Sequence, residues 1–168
     1  MSATKFISGV VLLVTACLLL SVTQVRAETE KGRAVYHLIK AEESEVGDLP
    51  GHFLVLVEKK GLVFYENGEV ATISSCVYTV DQTNEGHTAQ GYEVRTFEDG
   101  SKQVLNFQFS GTAAQEGEIW YPVKGTYSYV RGTGRFEGIQ GSFSASGKRF
   151  PGFATYTEFI DTYTLPEK

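Results

Sequence analysis

Between residues 33 and 164, apolar and polar residues alternate in short runs and do not recur every three or four positions. No stretch repeats apolar residues at i, i+3, i+4 and i+7, the mark of an amphipathic helix. Runs rich in Val, Ile, Thr, Tyr and Phe are instead punctuated by Gly, Asn-Gly and Asp-Gly, which is the strand-and-turn signature. The pattern predicts strands near 33–42, 52–66, 69–81, 87–97, 102–112, 121–130, 142–149 and 154–164. Lys60-Gly61, a turn signal, would split the second run in two. The chain therefore reads as all-β. About eight sequential antiparallel strands with short turns suit an up-and-down barrel or a sandwich. A single antiparallel eight-stranded, up-and-down β-barrel is the expected architecture, because closure removes exposed strand edges.

Two turns predict registers. Asp99-Gly100 favours a two-residue type I′ turn. That turn would pair Val94 with Leu105 and Tyr92 with Phe107 on one face, and Glu93 with Asn106 on the other. Asn67-Gly68 would likewise pair Tyr65 with Val70 and Leu62 with Ile73. It would also oppose Glu66 to Glu69, a like-charge contact that leaves a longer loop open there. Pro151-Gly152 separates the last two strands, and the acidic stretch Glu42–Gly51 reads as a surface loop at one barrel mouth.

The N-terminus has a different pattern. Lys5 precedes an apolar run from Phe6 to Val22, and Val25 and Ala27 stand at the −3 and −1 positions of a cleavage site. This order is that of a secretory signal peptide over 1–27, leaving a disordered lead over 28–32 and a barrel domain over 33–168. The protein is then exported, to a periplasmic or extracellular space. An uncleaved anchor is the alternative, but the run falls short of about 20 apolar residues, so no stable transmembrane span is expected in the mature protein. Val14-Thr15-Ala16-Cys17 also resembles a lipobox that would lipidate Cys17, although Leu18 to Leu20 count against it.

Composition narrows the classes. The 168 residues carry a formal charge of −5 with no Lys/Arg run longer than two, which argues against a nucleic-acid partner. The 42% hydrophobic and 12% aromatic content argues against disorder. Loss of residues 1–27 leaves Cys76 as the lone thiol, read as a small buried strand residue.

Residues 132–141 read Gly-Thr-Gly-Arg-Phe-Glu-Gly-Ile-Gln-Gly. The spacing is not that of a phosphate loop, and no helix follows. It reads as a tight connection between strands, with Phe136 plugging one barrel end and glycines supplying positive φ or close backbone approach. The longer segment from Tyr129 to Ser142 resembles the signature of the allene oxide cyclase-like and dirigent-like β-barrel superfamily. Gly47–His52, Gly68–Thr72, Tyr92–Gly100 and 125–141 also resemble a group of small exported bacterial proteins whose function is not established. The resemblance implies an eight-stranded barrel, often oligomeric among the plant members, with Gly132, Gly134, Phe136, Gly138 and Gly141 as a structural motif. No catalytic residue of allene oxide cyclases and no pocket acid of dirigents is matched position by position, so it implies no site residues.

The residues themselves offer few sites. His37, His52 and His87 are far apart, no H-x-x-x-H or cysteine pair suits a metal, and no cofactor is expected. No Gly-x-Ser-x-Gly elbow occurs. Glu93 and Arg95 lie outside if Tyr92 and Val94 pack the core, and line a polar lumen if a partner subunit covers the outer face. Glu158 shares a face with Tyr156 and Ile160, while Phe159 makes the other face apolar. A carboxyl in such surroundings would have a raised pKa, which makes Glu158 the catalytic candidate. Tyr127 and Tyr129 share a face with Val123 and form a core or lumen stripe. These readings support a protein that binds a small apolar molecule in the barrel. The alternatives are a metal-free enzyme guiding cyclisation or coupling of a reactive hydrophobic intermediate, and a filled barrel acting as a structural or interaction protein. A homo-oligomer is compatible with all three.

Overall fold

The computed structural model describes residues 25–114 and 117–167; the predicted lipobox and most of the predicted signal peptide lie outside them. Eight strands form a closed antiparallel barrel in sequence order: β1 Val25–Glu45, β2 Phe53–Tyr65, β3 Val70–Gln82, β4 Gly86–Thr96, β5 Lys102–Thr112, β6 Tyr121–Thr133, β7 Gln140–Arg149 and β8 Thr155–Pro166. Each strand pairs with its chain neighbours, and β1 closes the barrel against β8 from Val25↔Pro166 to Tyr36↔Thr155. The predicted strands are recovered. Residues 28–32 are the exception: expected as a disordered lead, they lie inside β1 opposite Phe159–Tyr163. Residues 42–45, expected in a loop, extend the same strand. Lys60-Gly61 is not a turn; β2 runs through it, with a bulge against β3 between Lys59 and Gly61.

Both hairpin registers differ from expectation by one residue, for one reason. Each turn is a three-residue loop with its glycine at positive φ. At the first, Gly100 (φ 82°) donates to the Phe97 carbonyl at 3.0 Å, and Phe97 N–H donates to the Ser101 carbonyl at 3.0 Å. The Asp99 carboxylate accepts from Ser101 N–H at 2.9 Å. Tyr92 therefore faces Asn106, Glu93 faces Leu105 and Val94 faces Val104. Gly68 (φ 90°) does the same after β2, placing Gly61 opposite Ile73 and Leu62 opposite Thr72. A one-residue slip exchanges the two faces of a strand. Tyr92 is consequently 59% exposed, while Glu93 and Arg95 are fully buried. No covering subunit is needed to turn them inward.

The connections 66–69, 97–101 and 134–139 share one end of the barrel, and 46–52, 83–85, 150–154 and the described residues between β5 and β6 share the other. The first end is plugged. Phe136 is 3% exposed and packs on Phe97 at 4.6 Å between ring centroids and on Tyr163 at 6.2 Å. Gly132 makes this plug possible, because a Cβ there would sit 2.0 Å from the Phe136 carbonyl oxygen. The glycine segment is thus the structural device its spacing suggested.

Candidate functional site

Above the plug, the interior holds a polar layer. The Arg95 Nε donates to Glu93 Oε1 at 2.7 Å, with both side chains fully buried. Tyr36 and Tyr127 donate their hydroxyls to Glu93 Oε2 at 2.9 and 3.3 Å and lie 2.9 Å from each other. Arg95 Nη1 donates to Tyr65 Oη at 3.3 Å, and its guanidinium lies over the rings of Tyr127, Phe143 and Phe159 at 5.0–5.4 Å. Ring faces attract a cation, most strongly where water is excluded. Burial, and then the Glu93 charge, push the Tyr36 and Tyr127 phenols well above their ordinary pKa. Both stay protonated as donors to Glu93.

Asp161 belongs to the same interior. It is fully buried and accepts from Tyr129. Burial raises its carboxyl to about 6, with the Tyr129 hydrogen bond and Arg95 acting the other way. Glu30, its cross-strand neighbour, is also raised to about 6, by burial and by Asp161. Among the described residues, Arg95 Nη2, both side-chain polar atoms of Gln103, Thr157 Oγ1 and Asp161 Oδ1 are buried without a partner.

The opposite end opens into a pocket of about 60 Å³. Its walls are aromatic and aliphatic, with Tyr78, Phe107 and Phe109 prominent, and Tyr36 and Tyr127 also line it. Lys59, His87 and Arg149 line the same space and are 4%, 8% and 9% exposed. Lys59 Nζ donates to Thr155 Oγ1 at 2.6 Å and lies over Tyr78 and Tyr36 at 5.3 and 5.9 Å from the ring centroids. Arg149 donates to Gln82 Oε1 through Nη1 and Nη2 at 3.4 and 3.3 Å. Burial, with the neighbouring Arg149 charge, lowers Lys59 to about 8. Burial, Arg149 and Lys59 lower His87 to about 4, so it is neutral near pH 7. Phe153 overlooks this end at φ 61°, a left-handed conformation that a bulky residue adopts at a cost.

The predicted site residues divide between the two surfaces of the barrel. Glu93, Arg95, Tyr127 and Tyr129 face inward and cluster as described. Glu158 does not: it is exposed on the outer face, where Tyr156 donates to it. It lines an outer groove of about 1200 Å³ with Arg33, Phe64, Ser144 and Ser146. The same parity that buries Phe159 and Asp161 turns Glu158 outward, so Glu158 and Tyr156 are removed from the lumen. Cys76 is a buried free thiol, as read. His37 is exposed, and His52 bridges Asp48 and Asp81 at 2.6 and 3.0 Å. Sequence reasoning missed Lys59, His87, Arg149 and Asp161. One signal was available: Lys59 continues the inward row Val55, Val57, Lys59 in β2.

No family model and no curated protein matches the chain. Solved structures do match. The pterocarpan synthase dirigent protein GePTS1 superposes with a TM-score of 0.50 at 13% identity, over 89% of this chain and 94% of that one. The pterocarpan synthase dirigent protein PsPTS1 superposes with a TM-score of 0.47 at 12% identity, over 86% and 97%. The closed eight-stranded barrel is thus a fold shared with the dirigent protein GePTS1.

Proposed function

We propose that the chain binds a small, largely apolar molecule at the open end of its barrel. The observation that carries this reading is the pocket of about 60 Å³ between Tyr78, Phe107 and Phe109, at the end opposite the Phe136 plug. Sites for drug-sized ligands span roughly 300–1,000 Å³. The pocket therefore receives only a few atoms of a ligand, with the rest of the molecule lying between the mouth loops. The remaining interior is filled by side chains, as small barrels of this strand number allow. Native mass spectrometry of protein purified from its own cells tests the reading. A retained small molecule, lost on Ala89→Trp substitution, is expected. An unliganded protein that also takes up no small aromatic probe in solution overturns it.

A second reading is an enzyme guiding cyclisation or coupling of a hydrophobic intermediate. It is favoured by Tyr36 and Tyr127, which line the pocket and whose hydroxyls are bound to the buried Glu93 carboxylate. Such a phenol–carboxylate pair can give and take a proton beside a bound molecule. Turnover of a candidate intermediate that survives Tyr127→Phe unchanged would remove this reading.

Export remains part of the proposal, supported by the 1–27 pattern. Cleavage after Ala27 would leave the β1–β8 ladder from Glu28↔Tyr163 onward. N-terminal sequencing of the protein from fractionated cells tests it. Self-association is proposed through the exposed outer rows of Leu54, Leu56, Val77 and Tyr92, and light scattering tests it.

A further inference from the structure

The mouth pocket is cationic in an acidic protein. Lys59, His87 and Arg149 converge on it, although the whole chain has 20 acids against 15 Lys and Arg. Lys59 and Arg149 flank the same Phe153 ring, at 6.0 and 5.2 Å from its centroid. Among the described residues neither makes an ion pair with a carboxylate: the polar partners are Thr155 for Lys59 and Gln82 for Arg149, both neutral. Buried cations are ordinarily paired, because removing an unpaired charge from water is costly. The two positive charges also repel each other. A second observation points into the same space. Thr157 lines the pocket, and its Oγ1 is buried with no hydrogen-bond partner. The pocket thus gathers two unpaired cations and a free hydroxyl against aromatic walls.

We propose that the pocket takes a small carboxylate with a short apolar body, its oxygens received by Lys59 and Arg149 and its body lying against Tyr78, Phe107 and Phe109. The inference rests on the ligand-binding reading above and adds the charge of the ligand. A carboxylate offers acceptors to the Lys59 ammonium and the Arg149 fork, and charge-assisted hydrogen bonds of this kind are roughly twice as strong as neutral ones. It also removes the mutual repulsion of the two cations, which a neutral ligand cannot do. Thr157 supplies a further donor.

Calorimetric titration with benzoate and with its neutral counterpart benzamide, at low salt and neutral pH, tests the proposal. Benzoate is expected to bind about tenfold more tightly or better, as hydrogen bonds to charged groups imply. Lys59→Met and Arg149→Met should each bring the ratio of the two affinities toward one, the larger loss falling on benzoate. Both substitutions keep the buried stem and remove an unpaired cation, so folding should survive, with an unchanged or raised melting temperature. The Lys59 ammonium resonance of the unsubstituted protein gives a second measurement, and benzoate should shift its titration to higher pH. Equal affinities for benzoate and benzamide overturn the charge assignment and leave the pocket reading standing. Benzoate preference that persists in both variants also overturns it. Binding of neither compound overturns the inference and the pocket reading together.

Discussion

Breaking the buried Glu93–Arg95 pair should be among the most damaging perturbations of this barrel, and unequally so from the two sides. Both side chains are fully buried and meet at 2.7 Å, so removing either leaves a charge without solvent. Such removals cost about 3–5 kcal/mol. After Arg95→Met, Glu93 retains the Tyr36 and Tyr127 hydroxyls on Oε2, and Oε1 loses its donor. After Glu93→Leu, Arg95 retains one hydrogen bond at 3.3 Å, to Tyr65, and its Nη2 already lacks a partner. The three surrounding ring faces compensate only in part. Arg95→Met is therefore expected near about 3 kcal/mol and Glu93→Leu near about 5 kcal/mol. The double variant Glu93→Leu/Arg95→Met should recover much of the loss, because it leaves no buried charge. Urea unfolding followed by far-UV circular dichroism on all four proteins closes a double-mutant cycle. Single losses under about 1 kcal/mol, or a double variant as unstable as the sum of the singles, would refute the argument.

Other consequences concern acidity, the plug and the outer face. Asp161 has its folded pKa raised to about 6, above its unfolded value, so its burial penalises the fold most above that pKa and not at all below the unfolded one. Stability should rise by about 2 kcal/mol as pH falls from roughly 7 to 4, and Asp161→Asn should flatten this rise; an equal slope in the variant would contradict it. Gly132→Ala puts a methyl group 2.0 Å from a backbone oxygen of the plug and should lower the melting temperature by at least about 4 °C, whereas a melt within about 1 °C of the parent would count against the close approach. Glu158→Gln, on the outer face, should stay within about 0.5 kcal/mol of the parent and leave ligand uptake unchanged; lost uptake would return Glu158 to the site. Burial also raises the Cys76 thiol well above its ordinary pKa, so thiol reagents should label it only after unfolding, and rapid native labelling would show an open strand.

Strand positions were legible because local signals set them: β-branched and aromatic runs, and glycines that end them. The plug was legible too, since Phe136 stands among closely spaced glycines. The phase of β4 against β5 was not. Asp-Gly suits both a two-residue and a three-residue loop, and the choice depends on whether Gly100 alone or both central residues take positive φ. That one residue decides whether Tyr92 or Arg95 enters the core. Bulges add the same uncertainty within strands: between Ile73 and Ser75 the register of β3 shifts against β4, which carries Cys76, Tyr78 and Val80 to the inside.

An alternating chain with apolar residues on both faces defines two surfaces and leaves open which one turns inward. By itself, this sequence determined an all-β chain, the places where it turns, and the residue that seals one end, because each follows from contacts within a few residues. The tertiary structure alone decided that Glu93 and Arg95 are core and that Glu158 is not. It also decided that Lys59, His87 and Arg149, from β2, β4 and β7, meet at one mouth. Closure of the barrel makes those neighbours, and no spacing along the chain records it.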